Sequence, residues 1–193
     1  MNPAYFQVKR SLLMQQLISF VLRRRVFNLC AFLACVGLIC AALFFQYFQG
    51  EDPCPLCLFQ RYGIIAVGIV YVLAAIIHPK KLWASRFFAV VILVVAIAGG
   101  AMSGKHIWIQ SLPEDEVPEC TPPLDFMVEM SGWTETIKTV LLEGSGDCHD
   151  STWSFLYLTM PMWVLIWFIG LGLFGFLRNW IPDEQSGYHA FGI

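Results

Sequence analysis

The sequence predicts an all-α membrane protein, a bundle of four transmembrane helices with one long outward loop between the third and the fourth. Three observations carry this. Apolar residues make up 58% of the 193-residue chain and charged residues only 13%, against roughly 45–50% and about 25% in soluble domains, and mean hydropathy is +0.64. The apolar residues gather into four runs, each near the roughly 20 residues a helix needs to cross the hydrocarbon. Basic and acidic residues are sorted to opposite sides of those runs. Together these exclude a soluble globular domain, a disordered chain and a nucleic-acid-binding protein.

Taken in order, the first span covers 26–48 and carries no charge from Val26 to Phe48. The second covers 58–77, with Arg61 near its start. The third is expected at 85–104, its apolar centre Phe87 to Met102 extending into Leu82–Trp83 and Ile107–Trp108. The fourth covers 158–178, centred on Met160 to Leu177. Backbone polar groups in hydrocarbon must bond within their own segment, which makes all four helical. The outward loops are then 49–57 and 105–157, and 1–25 and 181–193 form an N-terminal segment and a tail on the inner side. Within the former, 5–22 is mildly amphipathic and is expected to lie along the inner membrane surface. Arg23-Arg24-Arg25 before an apolar run superficially resembles an export signal. No small-x-small cleavage site follows, so the segment is expected to be retained.

Orientation follows from the basic residues. Lys9, Arg10, Arg23, Arg24, Arg25, Lys80, Lys81, Arg86 and Arg178 fall on one side if the helices alternate; only Arg61, Lys105 and Lys138 fall elsewhere. Both termini are therefore read as cytoplasmic. The two opposite loops hold 12 of the 14 acids. Gly100, Gly104, Ser103, Gly170, Gly172 and Gly175 suit close helix packing. Trp108, Trp153, Trp163, Trp167 and Trp180 suit an interfacial belt.

Cysteines carry the chemistry. Cys30, Cys35 and Cys40 lie within the first span and are read as inert. Cys54, Cys57, Cys120 and Cys148 all fall on the outward side, and an even number of such cysteines implies two disulfide pairs. In Cys54-Pro55-Leu56-Cys57, proline suits the first position of a helix. Cys54 then caps the second helix and Cys57 is its third residue, over exposed N–H groups that favour a thiolate. Arg61 stands one turn further along the same face and favours it again. Cys120 and Cys148, if paired, close a 29-residue ring, worth about 3.5 kcal/mol in the chain-entropy model. The prolines at 113, 118, 122 and 123 and the Gly144-Ser145-Gly146 run predict mobile backbone around them, and mobile exposed disulfides are the labile ones.

Zinc is a competing use of a C-x-x-C, but Cys120 and Cys148 have no C-x-x-C of their own, and no metal ligand set is assigned. Inert staples are another. The favoured reading is a redox relay between the two pairs. It needs a terminal two-electron acceptor, and no flavin, haem or iron–sulfur motif is present. The lipid phase offers a quinone, for which Arg61 at the apolar boundary is suited; snorkelling to the interface is its bland alternative.

These residues resemble the bacterial disulfide bond formation protein B (DsbB) family. The resembling stretches are Pro53 to Arg61, Gly104 to Gln110, Cys120 with Leu124-Asp125-Phe126-Met127, and Gly144 to Cys148 followed by Trp153 to Leu156, within roughly 27–180. The resemblance implies an inner-membrane, quinone-dependent oxidoreductase, with its redox cysteines on the periplasmic side, that reoxidises a periplasmic DsbA-type thiol oxidase. It implies that Cys120 is attacked by the reduced partner and that the released Cys148 attacks Cys54. Cys57 is then freed to face a ubiquinone or menaquinone ring. It places Arg61, and by a looser match His106, at the quinone. Gln60 departs from the glutamate many members carry there, and the segment before Arg23 is longer than usual. Leu124, Phe126 and Met127 are a candidate contact patch for the partner, and 133–142 a candidate interfacial helix. Competing readings are a vitamin K epoxide reductase-like enzyme, whose redox motif typically sits near the last helix, and a non-enzymatic membrane subunit stapled by two disulfides.

Overall fold

The computed structural model describes residues 23–50, 53–79, 81–119, 121–122, 124–142, 144–149 and 154–182. The expected surface helix at 5–22, most of the tail, Trp153 and Cys120 lie outside them. Helices α1 (Arg24–Gln49), α2 (Pro55–Ile77) and α3 (Leu82–Gln110) come first, then α4 (Leu124–Leu142) and α5 (Met160–Trp180). Of these α1, α2, α3 and α5 are long and apolar enough to cross a membrane. The protein is an all-α membrane protein. Leu33, Phe48, Ile76, Val94 and Phe174 stand exposed on the spans, where the neighbouring phase is hydrocarbon.

Helix ends follow local chemistry. Gly50 closes α1 in the left-handed conformation (φ 72°, ψ 23°) and returns its N–H to the Phe45 carbonyl, the usual glycine stop. The third span was expected at 85–104, yet α3 continues to Gln110. Gly104 does not break it, and the Lys105 ammonium is satisfied by the Leu141 carbonyl. At 1.5 Å per residue its 29 residues reach ~44 Å, longer than the ~30 Å of hydrocarbon.

The bundle packs in the order α1, α2, α3, α5, with a lighter contact closing α5 onto α1. The face α1 buries is a stripe at Arg24, Asn28, Ala31 and Cys35, spaced three and four apart as one helix face requires. Two glycines set the closest approaches. A Cβ on Gly99 would overlap the Phe168 ring, and one on Gly175 would overlap the Tyr71 phenol, whose hydroxyl donates to the Leu171 carbonyl. Of the small residues singled out in the sequence, Gly172 also meets a neighbour, Ala96, whereas Gly104 and Gly170 face open space.

The bundle end away from the C-x-x-C is tied by buried polar groups. Asn28 and Asn179 exchange side-chain hydrogen bonds of 3.1 and 3.0 Å. Ser85 donates to the Asn179 carbonyl. Arg24 donates to the carbonyls of Pro79 at 3.3 Å and Ile181 at 3.0 Å. Both ends of the chain's membrane domain, Arg24 and Ile181, therefore meet at one end of the bundle.

The connection between α3 and α5 is a folded cover. Its helix α4 is broken at Gly132 (φ 75°, ψ 166°), a region essentially reserved for glycine. A 3-10 turn, Gly146–Cys148, follows, then an antiparallel hairpin of β1 (Ser154–Phe155) and β2 (Leu158–Thr159). The Gly144-Ser145-Gly146 run, expected to be mobile, is buried. Gly146 N–H donates to the Glu119 carbonyl at 3.1 Å, and the Thr121 N–H to the Ser145 hydroxyl at 3.2 Å. Glycine here permits close approach to Ile109 and Lys105 instead of freedom.

Candidate active site: a buried thiol cluster

Helix α2 begins at the C-x-x-C itself. Cys54 is its N-cap in extended conformation and Pro55 its first residue. Proline's fixed φ suits that position, and its missing N–H would have had no partner there. The turn brings the Cys54 and Cys57 sulfurs to 3.1 Å. The Cys57 N–H donates to the Cys54 Sγ at 3.4 Å. The sequence reading put the helix-end N–H groups to work on Cys57; in the structure, the bond from the third residue serves Cys54, because a cap accepts from the third helical residue.

The 3-10 turn delivers Cys148 to this point. The Sγ atoms of Cys54 and Cys148 and a ring nitrogen of His106 all lie within 4.8 Å of one another. Cys54, His106 and Cys148 are 9%, 3% and 1% exposed. Hydrogen bonding from Cys148 and then from Cys57 holds the Cys54 thiol well below its ordinary value of 9.0, against burial, which raises it. An apolar shell of Leu56, Phe59, Ile109, Leu124 and Val140 encloses the cluster, with Met127 packed against it. Two of the three residues expected to form a partner patch are thus part of this shell, and Phe126 alone of the three is exposed.

His106 reaches the cluster because α3 runs on past 104. One ring nitrogen, Nε2, stands 3.1 Å from the Cys148 carbonyl oxygen, which only accepts, so Nε2 carries the hydrogen. The other, Nδ1, is then the acceptor and takes a hydrogen bond from the Gln60 carboxamide at 3.1 Å. The two bonds hold the ring in one orientation. The sulfurs of Cys54 and Cys57 each stand 3.9 Å from a ring nitrogen, Nε2 and Nδ1 respectively.

Arg61 lies on the face of α2 that carries Cys57, one turn away, and is half-buried. Its guanidinium donates to the Gln46 carboxamide oxygen and, at 3.2 Å, to the Ala42 carbonyl, both on α1. These partners are neutral. Among the described residues these two orient the guanidinium.

The structure therefore gathers Cys54, Cys57, Cys148 and His106 and holds Arg61 beside Cys57 on the same helix. Cys120 lies outside the described residues. Gln60 and Gln46 were not singled out as site residues in the sequence. Their signal was present, since a carboxamide inside an apolar span needs a partner.

Buried vicinal thiols at the mouth of a membrane helix bundle, with a third thiol from a folded loop, define a membrane protein of thiol–disulfide chemistry. Comparison with known proteins agrees. The family profile described as "Disulfide bond formation protein DsbB" matches residues 24–177. "Disulfide bond formation protein B" of Methylococcus capsulatus is 46% identical over 156 residues, 81% of this chain and 94% of the relative. That of Marinobacter nauticus is 41% identical over 164 residues, covering 83% and 96%, and that of Xanthomonas oryzae pv. oryzae 37% over 161 residues, covering 83% and 93%. The chain belongs to the DsbB family of disulfide bond formation proteins. It is a multi-pass membrane protein of disulfide oxidoreductase type, with a role in disulfide bond formation.

Proposed function

We propose that the protein is an inner-membrane thiol:quinone oxidoreductase that reoxidises a periplasmic DsbA-type thiol oxidase. The observation that carries the reading is the placing of the Cys148 sulfur against Cys54, the buried member of the C-x-x-C. The reduced partner attacks the Cys120–Cys148 disulfide at Cys120, and Cys148 leaves as a thiolate. Cys148 attacks the Cys54 sulfur, the Cys54–Cys57 bond breaks, and Cys57 leaves as a thiolate. The partner's second thiolate then displaces Cys120, oxidising the partner. Cys120 in turn attacks Cys148, restoring the loop disulfide and leaving Cys54 and Cys57 reduced. A membrane quinone, ubiquinone or menaquinone, supplies the sink for those two electrons and two protons.

The residues present fit such a group. Arg61, oriented by its neutral partners Gln46 and Ala42, would hold a quinone carbonyl oxygen that gains electron density. Cys57 is the more open of the two vicinal thiols. His106 holds the Cys148 carbonyl, which sets the attacking residue over Cys54. The buried shell keeps water from the exchanging sulfurs. The charge sorting supports cytoplasmic termini and periplasmic cysteines. The bonds from Glu119 and Thr121 to the Ser145–Gly146 segment support pairing of Cys120 with Cys148.

The test is loss of quinone absorbance in detergent on adding a reduced DsbA-type partner, with ubiquinone and menaquinone in turn. Catalytic loss that vanishes in Cys57→Ser is the expected result. No loss with either quinone, with folded protein and a competent partner, would contradict the reading and favour a stapled, non-enzymatic subunit.

A further inference from the structure

We propose that the fully reduced thiol cluster is also a binding site for a soft, closed-shell divalent cation of the Zn2+ or Cd2+ type, which would arrest the enzyme. The juxtaposition is of the Cys54 and Cys148 sulfurs with a His106 ring nitrogen, within 4.8 Å of one another, and of the Cys57 sulfur 3.1 Å from that of Cys54. Tetrahedral zinc with bonds of about 2.0–2.3 Å sets its ligand atoms about 3.3–3.8 Å apart, so from separations of at most 4.8 Å the cluster needs to tighten by at most about 1 to 1.5 Å. Three separate pieces of chain supply the ligands: the start of α2, the last turns of α3 and the 3-10 turn. Thiolate and imidazole donors without a carboxylate among them select soft and borderline ions over magnesium and calcium. The apolar shell of Leu56, Ile109, Leu124 and Val140 limits competition from water.

The supporting hydrogen bonds can follow the ion. Coordination through Nε2 takes the place of its bond to the Cys148 carbonyl and moves the ring hydrogen to Nδ1. Gln60 then accepts that hydrogen by turning its carboxamide end for end, as a carboxamide offers both a donor and an acceptor. Such orientation of a ligating histidine by a neighbouring acceptor is usual in metal sites. Binding releases the thiol protons of Cys54 and Cys148, and of Cys57 where it joins, and moves no electrons. A Cys54–Cys57 disulfide, or a disulfide at Cys148, removes the ligands. The ion is therefore bound only by the reduced chain, and it holds the electrons that the relay reading would send onward. The inhibitory consequence rests on that reading; the binding itself does not.

The experiment titrates Cd2+ into the full-length chain in detergent, reduced with a phosphine and kept anaerobic, and follows sulfur-to-cadmium charge-transfer absorption. One equivalent is expected to bind. Oxidised wild-type chain should give no band, a control that needs no variant. Cys148→Ser and His106→Gln should each weaken binding by about tenfold or more. A Cys30, Cys35 and Cys40 triple serine variant should bind as wild type does. The proposal is overturned if folded, reduced chain shows no band, or if oxidised chain shows the same band. An undiminished band in Cys148→Ser also overturns it, since the vicinal pair alone would then be the ligand. Quinone reduction is measured on the same preparation before metal is added. Binding without quinone turnover would sink the proposed function and leave the site standing; turnover without binding would do the reverse.

Discussion

At the scale of single residues, His106 and Cys54 are set by what touches them. His106 is gripped at both ring nitrogens, by Gln60 and by the Cys148 carbonyl. Replacing Gln60 by Leu removes one grip, and transfer from Cys148 to Cys54 is expected to slow about tenfold, the equivalent of ~1.4 kcal/mol in the barrier. Quenched-flow trapping of the Cys54–Cys148 species measures it, and an unchanged rate would show that the ring's orientation is immaterial. The depressed Cys54 thiol makes a second prediction. Its thiolate persists as pH falls below the ordinary thiol value and is lost only when pH passes the depressed one. The stability this lends the reduced fold is complete above the ordinary value and is lost progressively as pH falls from there toward the depressed one. Alkylation of Cys54 by a small reagent, read by mass spectrometry, should fall less steeply below about pH 8.5 than that of an unperturbed thiol, which slows about tenfold per unit. A tenfold fall per unit would contradict it.

At the scale of elements, the close packing of α5 against α2 and α3 depends on glycine. Gly175→Ala drives a methyl into the Tyr71 phenol and disturbs the bond from that phenol to the Leu171 carbonyl. Overpacking of this kind costs about 1–3 kcal/mol, which should appear as a lowered thermal midpoint in detergent; an unchanged midpoint would count against the fit described. Asn179→Leu leaves Asn28 buried without its two side-chain bonds and should cost about 1 kcal/mol. The spans were legible in the sequence because hydropathy reports them directly. The end of α3 was not. The apolar centre ends at Met102, with Ile107–Trp108 read only as an extension, and the Leu141 carbonyl that receives the Lys105 ammonium comes from a distant segment. The buried Gly144-Ser145-Gly146 run was misread because glycine signals freedom in a sequence and close approach in a fold.

At the scale of the whole molecule, the protein separates two jobs. One end of the bundle is tied by Arg24, Asn28, Ser85 and Asn179; the other gathers the reactive groups under a folded cover of α4 and the 3-10 turn. The C-x-x-C, Cys148 and Arg61 were legible as chemistry, because cysteine spacing and an intramembrane charge are visible one residue at a time. What converges on them was legible only in part. Gln46, Gln60 and the shell residue Leu124 act through contacts between elements far apart in sequence, and one chain without its fold does not show which elements meet. The account turns on the Cys148 sulfur reaching Cys54 in preference to Cys57. The most direct measurement uses a chain carrying Cys57→Ser and Cys120→Ser, oxidised gently and digested without reduction, with disulfide-linked peptides identified by mass spectrometry. A dominant Cys54–Cys148 linkage is predicted. Folded chain in which those two cysteines stay unlinked, or in which Cys148 joins Cys30, Cys35 or Cys40 instead, would contradict it.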